Sequence, residues 1–266
     1  MHVNTFDRYE SKESFIHLLD PRPKVVVTVL FIISNVILPD GAWLAFLLAW
    51  SFVLSVNWLA KLTIGYAFKR SFIALPFALA AVTSIFTLPG QPLVEFTLGP
   101  WHLVATDAGA IRFASIVIRS WLSVQMAILL TATTQFPDLM HALRHLRVPQ
   151  LIVAIISFMY RYLFVLADEA MRLIRAREAR SARLASGSGG GSLLWRARVA
   201  GNMVGQLFLR SYERSDRVYN AMLARGYTGH FQTLNPHLMT VRDWVMGGAA
   251  IAALIILQLV GHLSLP

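Results

Sequence analysis

Apolar runs separated by short polar breaks dominate the chain, and their spacing predicts helices that cross a lipid bilayer. Residues 1–24 are polar and mixed in charge, with prolines at 21 and 23, which suits a short surface helix that ends before the chain passes into lipid. Lys24 stands at the threshold. Val25–Leu38 and Ala42–Ala60 follow as two apolar runs joined by the turn Pro39-Asp40-Gly41. Lys61, Lys69 and Arg70 mark the next connection, and a third run, 71–88, carries Pro76 as an expected kink. Residues 89–109 hold no Lys or Arg and read as a neutral loop. A fourth run, 110–132, contains Arg112 and Arg119, and a fifth, 243–263, lies near the end of the chain. Between the fourth and fifth, 133–149 predicts a short amphipathic helix along the inner membrane face. Thr134 or Gln135 is near its cap, Pro137 in its first turn and Pro149 at its close.

Two long helices are predicted next. One begins at Gln150 and runs from apolar to arginine-rich towards Ala185; Ser-Gly-Ser-Gly-Gly-Gly-Ser at 186–192 is a flexible linker and lacks the Gly-Lys-Ser/Thr of a phosphate-binding loop. The other spans Leu193–Ala224, about 48 Å at 1.5 Å per residue, and Gly226 and Gly229 stop it. Gly201 and Gly205 make a small-residue face on the second helix, and Ala167 and Ala170 one on the first, so the pair is expected to cross closely there.

Composition agrees with the membrane reading: 56% of residues are hydrophobic and 14% charged, with a mean hydropathy of +0.57. The absence of cysteine excludes disulfides and thiolate metal sites. The net charge is +10, and +6 of it lies between Asp168 and Gly229, where eleven arginines face five carboxylates. No zinc-finger or RNA-binding pattern accompanies these arginines, so they mark a cytoplasmic face and no nucleic-acid partner is expected. Positive loops inside place the N-terminus, 61–70 and the region after 133 in the cytoplasm. The apolar segment 151–167 breaks the pattern. Were it to cross, the +6 block would lie outside and Arg161 would sit in the membrane at a cost of about 2.5–3.5 kcal/mol. It is therefore read as non-spanning, with an apolar surface at Ile155, Phe158, Tyr160, Tyr162 and Phe164 for a membrane partner. The expected fold is an all-α integral membrane protein of about five transmembrane helices. Its parts are 1–132 (four spans), 133–242 (a cytoplasmic region of long crossing helices) and 243–266 (the last helix).

Ala224-Arg225-Gly226 at the end of the long helix brings a resemblance into view, together with Phe6-Asp7-Arg8-Tyr9, Leu19-Asp20-Pro21-Arg22-Pro23-Lys24, Thr133-Thr134, Pro137-Asp138, Val148-Pro149 and Tyr160-Arg161-Tyr162 through Asp168-Glu169. The chain resembles the transmembrane T component of energy-coupling factor (ECF) transporters, in its CbiQ branch from cobalt importers, over nearly its whole length. That resemblance implies a multi-pass scaffold in the cell (inner or plasma) membrane. It would couple two ATP-binding-cassette ATPases to a separate small membrane subunit that captures the substrate, with a further small membrane subunit as an optional partner. The transported ion would be Co2+, or Ni2+ as the alternative; ATP and Mg would belong to the ATPases, and this chain would bind no cofactor. It also implies two coupling motifs. The second is Ala224, Arg225 and Gly226. The first maps to Ala179, Arg180 and Ser181, a departure from Ala-Arg-Gly, and Ser181-Ala182-Arg183 is a competing register.

Other chemistry is sparse. His141 and His145 have a ligand spacing of i, i+4 but lack a third ligand, so no metal site is expected. Arg119, inside a span, is either functional or bonded to a backbone carbonyl, Asp107 or Glu95. No catalytic constellation is present, and the chain is read as non-enzymatic. The rival classes are an integral-membrane enzyme acting on a lipid-linked substrate and a plain membrane scaffold.

Overall fold

Helix ends in the first half of the chain are set by local chemistry. In the computed structural model, which describes residues 9–87, 89–98, 101–180, 192–229 and 239–263, helix α1 (Pro21–Ile37) begins one residue after Asp20, whose Oδ1 accepts a hydrogen bond from the Arg22 N–H at 2.9 Å. Pro21 sits in the first turn, where a missing N–H costs nothing. The two prolines therefore open the helix instead of preceding it. The expected surface helix before them is, over residues 9–20, only a turn, held by bonds from Leu18 N to Ser14 O and from Leu19 N to Ile16 O.

Helix α2 (Trp43–Leu59) follows a turn in which Gly41 takes a φ of +81°, a conformation that L side chains rarely adopt. The run expected as a third span is broken. It forms α3 (Ile64–Arg70), a 3₁₀ turn (Ser71–Ala74), α4 (Leu75–Ala81) and α5 (Ser84–Thr87), with a bend of 49° between Gly65–Ala74 and Leu79–Thr87. Pro76 lies at that bend; it cannot donate to the preceding turn. The neutral loop is also more ordered than the charge pattern suggested. Pro92–Leu98 (β1) and Trp101–Thr106 (β2) form an antiparallel hairpin, with Leu98 opposite Trp101 and Glu95 opposite Val104.

Helix α6 (Asp107–Thr133) is capped by Thr106, whose Oγ1 accepts from Gly109 N at 3.2 Å. Helix α7 (Phe136–His145) packs on α1 and buries Met140 and Ala142. Helices α8 (Gln150–Arg180), α9 (Leu193–Ala224) and α10 (Val241–Leu263) complete the order. Among the described residues α6, α8 and α10 are long and apolar enough to cross a membrane, as is the bent pair taken as one span; α2 is a shorter apolar helix of 17 residues, and α1 has the same length. The chain divides into two compact units: Met1–Leu146 with His237–Pro266, and Arg147–Pro236.

In the first unit α1, α2, α6 and α10 share one core, built on Phe31, Phe46, Leu122, Leu129, Leu254 and Leu257. Its outer surface is apolar and its interior also holds polar side chains: Leu47 is 61% and Ile255 56% exposed, while Asn35 is 1% and Gln125 5%. Lipid can solvate the former and not the latter. The interior polar groups accordingly bond between helices. Asn35 Nδ2 donates to Arg119 O (3.0 Å) and Ser123 Oγ (3.1 Å), and Gln258 Nε2 donates to Ser34 O (2.6 Å). Each such bond is worth about 0.6 kcal/mol in a bilayer.

Arg119 resolves in the same way, with a partner that the sequence reading did not name. Its guanidinium meets Asp40 Oδ1 at 2.8 Å and donates to the Leu38 carbonyl, so it ties α6 to the α1–α2 turn. Asp40 is also 3.9 Å from Arg112. In a double-mutant cycle of Arg119→Met and Asp40→Asn, unfolded in detergent, the coupling energy is expected at about 1–2 kcal/mol; strictly additive losses would remove the pair from the stability of this end.

Candidate functional site

The arginine-rich unit is a helical hairpin. Glu169 on α8 meets Arg210 on α9 at 2.6 Å, and nearer the start of α8 Phe158 and Tyr162 share a cleft with Val218 and Met222 near the end of α9. Early α8 thus faces late α9, and the two run antiparallel. Half-buried positions on α9 fall at Val199, Met203, Leu207, Ser211, Arg214, Val218 and Met222, a spacing of four, four, four, three, four and four that traces one seam along a helix. Glu169 carries the cross-helix bond from a position only 16% exposed, and Arg172 also reaches it at 3.8 Å.

Among the described residues the expected crossing at Gly201 and Gly205 is not formed. A Cβ added to either glycine meets nothing within 4 Å. At 100° per residue both lie on the same side of α9 as Val204, Phe208, Tyr212, Tyr219 and Leu223, which are 49–65% exposed. The glycines belong to an outward apolar face, away from the seam. Ala167 and Ala170 are half-buried on α8, near the Glu169 bond. The face was legible in the sequence at helical spacing, and the two glycines drew the reading to the wrong partner.

Of the five residues expected to present an apolar surface on α8, only Ile155 is widely exposed, at 57%. Phe158 stacks with Tyr162 at a centroid distance of 6.2 Å, and Tyr160 meets Phe164 edge-on at 5.0 Å; all four are half-buried. The exposed stripe runs through Leu151, Ile152, Ile155, Met159 and Leu163.

Ala224-Arg225-Gly226 has a clear local reason. Ala224 is the last helical residue, Arg225 is the C-cap, and Gly226 adopts a φ of +79°. The Gly226 N–H donates to Leu223 O at 2.9 Å and the Tyr227 N–H to Met222 O at 3.0 Å, the two bonds of a Schellman motif. The left-handed residue must be glycine or it is strained. The small Ala224 and the glycine leave the arginine as the one long side chain of the three, and all three residues are exposed. Arg225 lines a cleft of about 670 Å³ with Arg161, Tyr162 and Tyr227, so two guanidinium groups and two phenol rings face one opening. Such a set accepts carboxylates and stacks on planar groups.

Ala179 and Arg180 are exposed at the end of α8, and Ser181 lies outside the described residues, as do Arg183 and residues 186–191 of the linker. The 19 residues from Arg161, beside Arg225, to Arg180 measure about 28 Å along α8. The two arginines therefore stand towards opposite ends of the hairpin.

A second polar site was not foreseen as a site, although its parts were noticed singly. Asp20, Lys24, Thr133, Thr134 and Asp138 come from two distant stretches and line one cavity of about 670 Å³ with Thr240, Arg242 and Asp243. Asp243 ties the Asp20 stretch to the residues that open α10, accepting from Asp20 N (2.9 Å), Thr240 N (2.8 Å) and Thr240 Oγ1 (2.7 Å). Lys24 Nζ donates to His17 O and Thr133 O, each at 3.3 Å. Burial holds the His17 imidazole below its ordinary pKa, and the Lys24 and Lys12 cations add to that, against hydrogen bonds to backbone groups. The imidazole is thus held neutral near pH 7, with Ser14 Oγ 2.6 Å from Nδ1 and Glu10 O 3.0 Å from Nε2. His141 and His145 lie with ring centroids 4.6 Å apart, and among the described residues no group of three metal-binding side chains occurs.

Replacing Gly226 with Ala is expected to cost about 1 kcal/mol of local stability although its Cβ has open space, with Asn milder. Faster hydrogen exchange at amides 222–227 would report it; unchanged protection would dissociate the motif from the left-handed cap.

Comparison with known proteins places these features in a family. The sequence profile of the cobalt transport protein family, CbiQ, matches residues 12–236. An energy-coupling factor transporter transmembrane protein EcfT of Lacticaseibacillus paracasei is 28% identical over 259 residues, covering 91% of this chain and 92% of the relative. That of Lactococcus lactis subsp. cremoris is 29% identical over 234 residues, with 84% of each chain covered. An uncharacterized protein of Methanocaldococcus jannaschii is 25% identical over 259 residues, covering 95% of this chain and 85% of its own.

Proposed function

The chain belongs to the cobalt transport protein family CbiQ, and from that premise we propose that it is the transmembrane scaffold subunit of an ATP-driven ECF-type importer, with cobalt as the transported ion. The observation that carries the reading is the exposed Arg225 at the rigid C-cap of α9, a helix of 32 residues with apolar and arginine-rich faces. Arg225 and Arg180 would each seat in one of two partner ATPase subunits, where a guanidinium pairs with a carboxylate in two-bond geometry. The negative end of each helix dipole lies beside its arginine and keeps that charge at the tip. ATP and Mg would be bound by the ATPases, and this chain would contribute no catalytic group.

Closure of the ATPase pair would change the separation or tilt of the two docked ends. The Glu169–Arg210 bond joins α8 to α9, so movement at one end is transmitted to the other helix. The outward faces are free to hold the substrate-capturing membrane subunit: Leu151, Ile155, Met159 and Leu163 on α8, and Val204, Phe208 and Tyr212 with Gly201 and Gly205 on α9. Small residues there allow a partner helix to approach its backbone closely. The charge distribution supports a cytoplasmic N-terminus and a cytoplasmic hairpin, with α8 not crossing the bilayer.

Arg225→Glu is expected to lower recovery of ATPase subunits with the tagged chain at least tenfold while membrane insertion is unchanged, and Arg225→Lys to fall between. Equal recovery in all three would take Arg225 out of the docking surface. For orientation, a Ser188→Cys chain in intact cells should resist a membrane-impermeant maleimide and react after the inner face is opened. Labelling from outside would overturn the cytoplasmic placement of the hairpin.

A further inference from the structure

The polar cavity at the end of the first unit does not stand alone. A second cavity of about 260 Å³ adjoins it, and Leu19, Lys24 and Thr133 line both. The second is apolar, walled by Val27, Phe52, Val56, Leu129, Met246 and Ala250 from α1, α2, α6 and α10. It reaches from Thr133 back to Met126 on α6, about 10 Å at 1.5 Å per residue. The polar cavity thus lies at the helix ends, at the level of a membrane surface, and the apolar one runs from it into the hydrocarbon depth.

The polar cavity holds an unbalanced set of groups. Both oxygens of Asp243 are engaged by N–H and O–H donors, and Asp20 Oδ1 by Arg22 N. Asp20 Oδ2 is buried without a hydrogen-bond partner, on a residue 6% exposed, and so is Thr134 Oγ1. Lys24 donates only to carbonyls and makes no ion pair among the described residues. Arg242 stacks over Phe15 at 5.3 Å and likewise lacks an ion pair among them. Two cations that neighbour Asp20, Asp138 and Asp243 without closing a direct ion pair on any of them among the described residues, beside a buried carboxylate oxygen without a donor, call for a ligand that brings both an anion and an N–H donor. In a membrane, with an apolar slot below, that ligand has a tail.

We propose that the joined cavities bind one phospholipid with a primary-amine headgroup, of the phosphatidylethanolamine class. Its phosphate sits between Lys24 and Arg242, its ammonium donates to Asp20 Oδ2, and one acyl chain fills the slot. A choline headgroup matches the charge but has no N–H to give Asp20. A glycerol headgroup can donate a hydroxyl, yet it adds an uncompensated negative charge beside Asp20, Asp138 and Asp243. The site depends only on the membrane location of the chain and stands apart from the transport role.

The test uses the full chain purified in mild detergent with whatever subunits accompany it. After stripping in excess detergent, it is titrated with mixed micelles of dioleoyl phosphatidylethanolamine, phosphatidylcholine or phosphatidylglycerol while thermal unfolding is followed. The ethanolamine lipid is expected to raise Tm by several degrees more than either other lipid. Lipid extracted before stripping is expected to be enriched in it over the host membrane. Ala249→Trp and Ser55→Trp project from opposite walls of the slot at exposed positions; each should abolish the increment while keeping the Tm measured in the choline lipid. Arg242→Gln should weaken it several-fold. Equal shifts with all three lipids, preference for the glycerol lipid, an increment that survives both tryptophans, or cross-linking from Ala249→Cys to a partner membrane helix in place of lipid would each overturn the proposal.

Discussion

Hydrocarbon offers no hydrogen bonds, so a polar atom carried into a bilayer must find its partner in the protein. The first unit is arranged around that requirement. Asn35, Gln258 and Ser115 sit where an apolar side chain would pack, and each bonds to a different helix or turn: Asn35 to α6, Gln258 to α1, and Ser115 to Gly41 N at 3.1 Å. Apolar packing between helices supplies little orientation when lipid is as apolar as leucine. These few directional bonds fix which faces meet. Arg119 with Asp40 closes one end and Asp243 with Asp20 the other.

The second unit has no comparable buried network among its described residues. Its antiparallel helices share a half-buried seam and one short ion pair, and their other faces are left to solvent, lipid or partners. A hairpin so lightly held is suited to adjust its angle, because few contacts must be broken to do so. The firmness is placed at its tip, where two backbone bonds and a left-handed glycine fix the direction in which α9 ends.

Much of this was legible in the sequence. Hydrophobic periodicity located α6, α9 and α10 within a few residues, and Gly226 marked the end of α9 because a left-handed cap requires glycine. The chemical role of Asp20 was not legible, since the capping carboxylate and its second partner Asp243 are far apart in sequence. For Arg119 the sequence offered a functional role or a bond to a backbone carbonyl, Asp107 or Glu95; the Leu38 carbonyl is such a partner, whereas Asp40 is brought to it only by folding of the α1–α2 turn over α6. The hairpin at 92–106 was passed over for its lack of charge, although Val, Phe, Thr and Trp on either side of Gly99-Pro100 are a strand pattern in their own right. The glycines at 201 and 205 show the opposite error, where a real pattern was given to the wrong neighbour. Spacing tells which residues share a face and leaves open what that face meets.

An antiparallel pair of helices has an approximate two-fold axis across its middle. Rotating the α8–α9 hairpin by half a turn about that axis exchanges the C-terminal end of α8, with Arg180, for that of α9, with Arg225. The hairpin therefore carries two similar ends pointing in opposite directions. For the proposed pair of ATPase subunits this means that one asymmetric protein can meet a symmetric dimer on near-equal terms. Under the proposed mapping of the first coupling motif to Ala179-Arg180-Ser181, glycine at one end corresponds to serine at the other, and there the symmetry is broken.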